Sequence, residues 1–235
     1  MSKKAQTVYA RQDLSEKRCK ELWDYEQSLV SLSGQASGCF AGVDEAGRGA
    51  LAGPVFAAAV VLGGGALDWM GVNDSKQVTK KRREELYHVI RKRAVAVGVG
   101  TASVAEIDRD NILHASRKAM GRALQELHVE LGFALVDGTY TPVFDSHDFD
   151  RVLCTTVIDG DAKCMSIAAA SIVAKVERDR FMAQLGEDYP EYGFEQHAGY
   201  GTAFHREALQ RHGPSPWHRT SFAPVKLSLQ MELGF

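Results

Sequence analysis

Residues 42–55 read Gly42-Val43-Asp44-Glu45-Ala46-Gly47-Arg48-Gly49-Ala50-Leu51-Ala52-Gly53-Pro54-Val55. Two adjacent carboxylates close an apolar run, and a glycine-spaced arginine follows. Adjacent acids repel, and burying either costs several kcal/mol or a raised pKa. A divalent cation removes that cost, because hard oxygen donors suit Mg²⁺ and Mn²⁺. Glycines at 47 and 49 let the backbone approach a ligand closely. Acids on one side and a close-approach loop on the other point to phosphate chemistry.

Working outward, Cys39–Asp44 reads as a short buried strand and Pro54–Leu62 as a second, with the motif loop between them. An amphipathic helix is predicted over 13–32, with Leu14, Leu22, Tyr25 and Leu29 on one face, and Ser31–Gly38 forms a linker. Beyond the second strand, Thr79 caps a helix over about 79–92. Ala94–Thr101 is a third strand. Its Gly98-x-Gly100 lacks the third glycine and the strand–helix context of a dinucleotide loop. Ser103-Val104-Ala105-Glu106 is a capping box opening a helical region to His128. Phe133–Gly138 and Arg151–Ile158 are further strands, ending near Asp137 and Asp159-Gly160-Asp161. A long helix of small apolar residues spans 166–185, with close packing as its expected role. A glycine-rich turn holding Tyr200, a helix near 203–212 and a proline-rich tail complete the chain. The expected fold is an α/β mixed five-stranded sheet flanked by helices. The expected division is a peripheral helix and linker (1–38), a catalytic core (39–190) and a C-terminal helical extension and tail (191–235).

At 235 residues and 45% hydrophobic, the chain can bury a substantial core, and its net charge of −2 gives no global argument for a nucleic-acid partner. Four cysteines form no CxxC pair and no zinc spacing, which suits reduced thiols. No apolar run approaches the ~20 residues of a membrane span, and Met1–Arg11 has no signal-peptide core, so a cytoplasmic protein with no membrane partner is expected.

Asp44, Glu45, Asp137 and Asp161 are the candidate catalytic acids. Singly, each has a plain explanation: Asp137-Gly138 is a common turn dipeptide, and Asp161 could cap the following helix. Together, four carboxylates at strand ends match what two divalent ions a few Å apart require. Such a site needs no protein nucleophile, in keeping with the lack of a GxSxG elbow.

Six blocks carry a resemblance: GVDEAGRGALAGPV (42–55), NDSKQVTKKRREEL (73–86), ALVDG (134–138), GDAKCMSIAAASIVAKVERDRFM (160–182), AGYGTAFHREAL (198–209) and HRTSFAPV (218–225). In order and spacing the chain resembles ribonuclease HII from about residue 40 to 225. The resemblance implies an RNase H-like fold with a C-terminal helical extension. It also implies cleavage 5′ of ribonucleotides embedded in DNA, leaving 3′-hydroxyl and 5′-phosphate ends, and action on RNA/DNA hybrids. It makes Asp44, Glu45, Asp137 and Asp161 the site for two Mg²⁺ or Mn²⁺ ions, Asp159 being the near alternative to Asp161. Gly47, Arg48 and Gly49 would read the ribose 2′-hydroxyl, which distinguishes RNA from DNA. This loop weighs against the sister family, ribonuclease HIII. Tyr200 would rest on the sugar or base at the RNA–DNA junction. Lys76, ahead of the basic run Lys80-Lys81-Arg82-Arg83, would contact phosphate. Thr139–Asp150, with Asp145, Asp148 and Asp150, reads as a solvated loop. The C-terminal Gln230–Phe235 resembles peptides that dock into sliding clamps. A non-catalytic nucleic-acid-binding module on the same fold is the contrasting possibility, and four unneutralised acids beside a phosphate backbone argue against it.

Overall fold

The computed structural model describes residues 3–34, 39–72, 78–146, 149 and 151–232. Strands β1 (Phe40–Ala46), β2 (Val55–Val61), β3 (Ala96–Ala102), β4 (Phe133–Asp137) and β5 (Leu153–Val157) form one sheet in the order β3-β2-β1-β4-β5. The first three strands pair antiparallel, as short connections allow. β1–β4 and β4–β5 are parallel. The expected five-stranded mixed sheet is therefore present. β1 runs two residues past the predicted end at Asp44, so Glu45 joins Asp44 in the strand itself, opposite Ala57 and Ala58 of β2 respectively.

Helices cover both faces. β2 is buried throughout, and its alternate residues serve opposite cores. Val55, Ala57, Ala59 and Val61 pack with α3 (Val104–Asp110) and α4 (Ile112–Gln125). Ala58 and Val60 pack with α1 (Lys3–Leu32), α2 (Lys80–Arg93) and α5 (Met165–Asp188). The predicted helical region 103–128 is two helices, because Asn111 takes a φ of 70° and caps α4 by accepting from the His114 N–H. The caps predicted at Thr79 and Ser103 both form. Gly98 and Gly100 owe their absence of side chains to packing: a Cβ on either would run into the α4 backbone at Ala123 or Ala119. Beyond α5 come α6 (Phe194–His197), α7 (Ala203–His212) and α8 (Ala223–Glu232). The last of these replaces part of the expected irregular tail. In the loop after β4, Thr139–Thr141 and Asp145 are exposed, as expected, while Asp145 also pairs with Arg122 and Phe144 stacks on Phe149. Asp148 and Asp150 lie outside the described residues. Among the described residues no helix is long and apolar enough to cross a membrane.

α1 does more than lie on the surface. Its Glu26 is fully buried and accepts from the backbone N–H (2.7 Å) and hydroxyl (2.5 Å) of Ser166. It thus supplies a cap to α5, whose own N-cap, Cys164, makes none. Burial pushes the Glu26 carboxyl up to about 7 against the pull of those bonds. A folded-state pKa above the unfolded value means that the native state holds the extra proton, so stability falls as pH rises from about 4.5 to about 7. Glu26→Gln keeps the accepting oxygen and removes the charge. Its stability relative to the parent should grow across that window, reaching on the order of 3 kcal/mol by pH 8. Urea denaturation at pH 5 and pH 8 measures this, and a pH-independent difference would contradict the assignment.

Candidate active site

The parallel register of β1 and β4 aligns Val43 with Val136, so Asp44 and Asp137 occupy the next position on adjacent strands. Asp44 is only 5% exposed. Its carboxylate accepts from the Glu45 backbone N–H at 2.7 Å and from the Ser171 side chain on α5. Burial, then Glu45 and Asp137, push the Asp44 carboxyl well above the usual carboxylate range. Burial also raises Glu45, opposed by Arg48, whose guanidinium stands 3.2 Å from it. These acids share one pocket of about 260 Å³ with Gly47, Arg48, Gly49, Arg83, Ser171, Lys175 and Tyr200.

Most of the predicted site residues thus converge, and Asp161 stands apart. β5 closes at Val157, so Asp161 is not at a strand end; it lies in a 3₁₀ turn over Gly160–Ala162, buried, and does not line the pocket. The turn is tied to the site because Asp137 accepts from the Gly160 N–H at 2.6 Å. Asp159 precedes it, exposed, in the left-handed region. Lys76 lies outside the described residues. Of the basic run, Arg83 turns into the pocket and pairs with Asp179, while Lys80 and Lys81 are exposed.

The long helix expected only to pack also furnishes the site. Ser171, Lys175 and Arg178 recur at helical spacing along α5 and face the pocket or the loop above it. Lys175 is held by Asp179 at 2.6 Å. Lys175 and Arg178 lie 5.5 and 5.4 Å from the centre of the Tyr200 ring. That polar stripe in an otherwise small and apolar run was the available sequence signal. Arg219, His205 and His218 fall within the blocks 198–209 and 218–225, but their sequence context assigns them no role.

Two fully buried arginines fasten the motif loop. Arg178 donates to the carbonyls of Pro54 (3.1 Å), Ala52 (3.1 Å) and Ala198 (2.8 Å). Arg219 donates to the carbonyls of Gly53 and Arg48, both at 2.9 Å. Burial, with Arg178 adding to it, pushes Arg219 down to about 9, so it stays charged at neutral pH. Gly47, at a φ of 94°, has no room for a Cβ because Arg178 lies against it. Gly49 differs: its Cβ position faces open space on the pocket rim, room that a ligand's backbone-close approach would use.

A mixed sheet of this order, with acids gathered at one rim and helices on both faces, defines an RNase H-like enzyme. The family model described as Ribonuclease HII matches residues 41–225. The chain belongs to the ribonuclease HII family and is an endoribonuclease. It is 52% identical over 192 residues to the ribonuclease HII of Thermosynechococcus vestitus, covering 82% of this chain and 87% of that one. Ribonuclease H2 from Pyrococcus horikoshii OT3 superposes with a TM-score of 0.67 at 25% identity, over 82% of this chain and 97% of that one. The RNase HII of Archaeoglobus fulgidus, solved in a complex with PCNA, gives 0.62 at 29% identity, over 77% and 92%.

Removing the Arg178 guanidinium orphans buried carbonyls on the loop and on the Tyr200 turn. Arg178→Met should lower unfolding free energy by about 2–5 kcal/mol. Arg178→Lys, with one donor point instead of a fork, should recover only part of it. Urea titration reads both; an unshifted midpoint for the Met variant would exclude Arg178 as the fastener.

Proposed function

We propose that this enzyme cleaves the phosphodiester on the 5′ side of ribonucleotides embedded in duplex DNA, as well as RNA/DNA hybrids, leaving 3′-hydroxyl and 5′-phosphate ends. The observation that carries this reading is that Asp44, Glu45 and Asp137 share one pocket with Gly47-Arg48-Gly49 and Tyr200. Acids that could hold cations thus adjoin a backbone-lined edge suited to a sugar.

The acids fit divalent Mg²⁺ or Mn²⁺. They are hard oxygen donors, and the burial and lesser mutual repulsion that raise Asp44 and Glu45 are what a cation relieves. As the side chains stand, no group of three acids, histidines or cysteines among the described residues is at ligating separation. Asp44, Glu45 and Asp137 would hold the ions, with Asp161 as the fourth acid on the turn that Asp137 ties to the site. Bound there, two ions would acidify an attacking water and offset charge on the leaving 3′-oxygen.

The protein's own groups do the rest. Arg83 and Lys175, both anchored by Asp179, present positive charge to a phosphate entering beside the acids. The buried guanidiniums beneath residues 47–54 add a positive field that needs no reorganisation. Gly47, Arg48 and Gly49 meet the 2′-hydroxyl, and Tyr200 supports the sugar or base across the junction. Lys76 would extend the phosphate contacts along the duplex.

A duplex with one embedded ribonucleotide, incubated with Mg²⁺ or Mn²⁺ and with chelator, tests this reading. Cleavage 5′ of the ribonucleotide, lost on chelation, is expected. Cutting of long hybrids alone would instead assign an enzyme that needs a ribonucleotide run. Asp44→Asn should lower turnover by at least about a hundredfold. It should leave duplex binding intact and raise thermal stability at pH 8, because it removes a buried charge that its neighbours repel. A variant that cut normally would refute the metal-site assignment.

The C-terminal segment Gln230–Phe235 is proposed to dock onto a sliding clamp. α8 reaches Glu232, and 233–235 lie outside the described residues. The PCNA complex of the Archaeoglobus relative supports the reading by analogy. Calorimetric titration with a bacterial clamp should show binding that is lost on deleting residues 230–235; equal binding by both forms would remove the idea.

A further inference from the structure

Behind Tyr200 lies a cluster of three histidines that none of the chemistry above uses. His205 and His218 are buried, at 0% and 1% exposure. Their Nε2 atoms are 3.0 Å apart. His205 Nδ1 lies 3.0 Å from the carbonyl oxygen of Tyr200. His218 Nδ1 lies 2.9 Å from both the backbone nitrogen and the hydroxyl oxygen of Ser215, and the hydroxyl, free to rotate, donates alongside the N–H. His197 Nδ1 is 3.2 Å from the Gly199 nitrogen, and its Nε2 is 2.8 Å from the Tyr192 carbonyl oxygen. The rings of His197 and His205 stack at 4.6 Å, inclined by 14°.

The backbone partners fix every proton. A carbonyl oxygen only accepts, so His205 carries its proton on Nδ1 and His197 carries its proton on Nε2. A backbone N–H only donates, so the Nδ1 atoms of His218 and His197 are bare. His218 therefore bears its proton on Nε2 and donates it to the bare Nε2 of His205. A single directed chain results, from the Ser215 N–H through His218 and His205 to the Tyr200 carbonyl. His197 meanwhile grips the adjacent Gly199 N–H. A proton added at His205 Nε2, or at Nδ1 of His218 or His197, would replace an accepted bond with two opposed donors. The enclosure suits this neutral arrangement. Burial, with lesser contributions from the other histidines, pushes His205 and His218 each down to about 4. Tyr192 and Phe194 pack against the rings.

We infer that His218, His205 and His197 form a neutral, single-tautomer hydrogen-bond relay that positions the Tyr200 turn for substrate. They are positioning residues, since none lines the pocket and their effect passes through the backbone of residues 199 and 200. The inference rests on the reading that Tyr200 contacts substrate. Ser215–Arg219 thus serves that turn as well as the motif loop: His218 joins the relay while Arg219 holds Gly53 and Arg48.

Two measurements on the full-length enzyme test it. ¹⁵N–¹H correlation spectra of the imidazoles at pH 7 should show His205 protonated at Nδ1, and His197 and His218 at Nε2, with no imidazolium at His205 or His218. Any other tautomer, or a charged ring at His205 or His218, overturns the relay. The second is a kinetic cycle on the singly substituted duplex, with Tyr200→Ala, His218→Phe, His218→Gln and the double variant His218→Phe/Tyr200→Ala. His218→Phe keeps a ring but loses the donor, and should raise KM by about five- to tenfold with a smaller change in kcat. His218→Gln, whose amide can donate from the same place, should return KM to within about twofold of the parent. In the Tyr200→Ala background, His218→Phe should add nothing further. If Tyr200→Ala impairs cleavage and His218→Phe adds its full effect to it, the relay does not act through Tyr200 and the inference fails. If Tyr200→Ala changes nothing, the reading of Tyr200 fails and the positioning role falls with it.

Discussion

Two guanidinium groups buried under one loop are the constraint on which the pocket depends. Arg178 comes from a helix packed on the sheet, and Arg219 from the segment beyond α7; between them they satisfy carbonyls at residues 48, 52, 53, 54 and 198. A loop carrying that many inward carbonyls has few alternatives. Water would satisfy them but would leave the loop mobile, whereas another strand would flatten it. Arginine is suited to the task because its planar fork reaches several acceptors while keeping its charge. Hydrogen bonds from the Leu51 N–H to Gly199 and from the Gly53 N–H to Trp217 complete the seam. The rim of the sheet and the C-terminal segment thereby become one surface.

Buried acids on two sides of α5 weaken the fold. Asp44 is buried beside two other acids, and Glu26, on the far side of α5, is a carboxyl that burial disfavours when charged. They stand at opposite ends of a division of labour along α5. Its N-terminus is secured by Glu26, its middle presents Ser171 and Lys175 to the pocket, and Arg178 holds the loop. Destabilising groups kept at a pocket, with compensation supplied elsewhere on the same helix, are the usual mark of a site shaped by chemistry rather than by stability.

Much of this was legible in the residues. Alternation and apolar runs located the five strands, capping chemistry located α2 and α3, and acids at strand ends pointed to one rim. Helix boundaries failed where a single backbone conformation decided them, as at Asn111, whose positive φ splits one helical pattern into two. Asp161 was grouped with the strand-end acids because it follows the predicted strand closely; the strand closes at Val157 and a 3₁₀ turn intervenes. The stripe Ser171–Lys175–Arg178 could have been read from spacing, but the surrounding alanines argued for packing, and both readings hold on different faces of α5. Arg219 and the histidine cluster were beyond reach for a different reason. Their partners are backbone atoms of distant segments, such as Arg48 and Tyr200, and no side-chain pattern encodes a carbonyl.

The reach of Arg219 also has a consequence in time. The acids of β1 and β4 are brought together by a parallel pairing that can form once residue 137 is available. The fastening of the loop beside them waits for residue 219. At ribosomal rates of roughly 5–20 residues per second, that interval is about 4–16 s. For those seconds a nascent chain can gather its acids while the neighbouring loop still lacks a second anchor. The order of synthesis itself separates assembly of the acids from completion of the loop beside them.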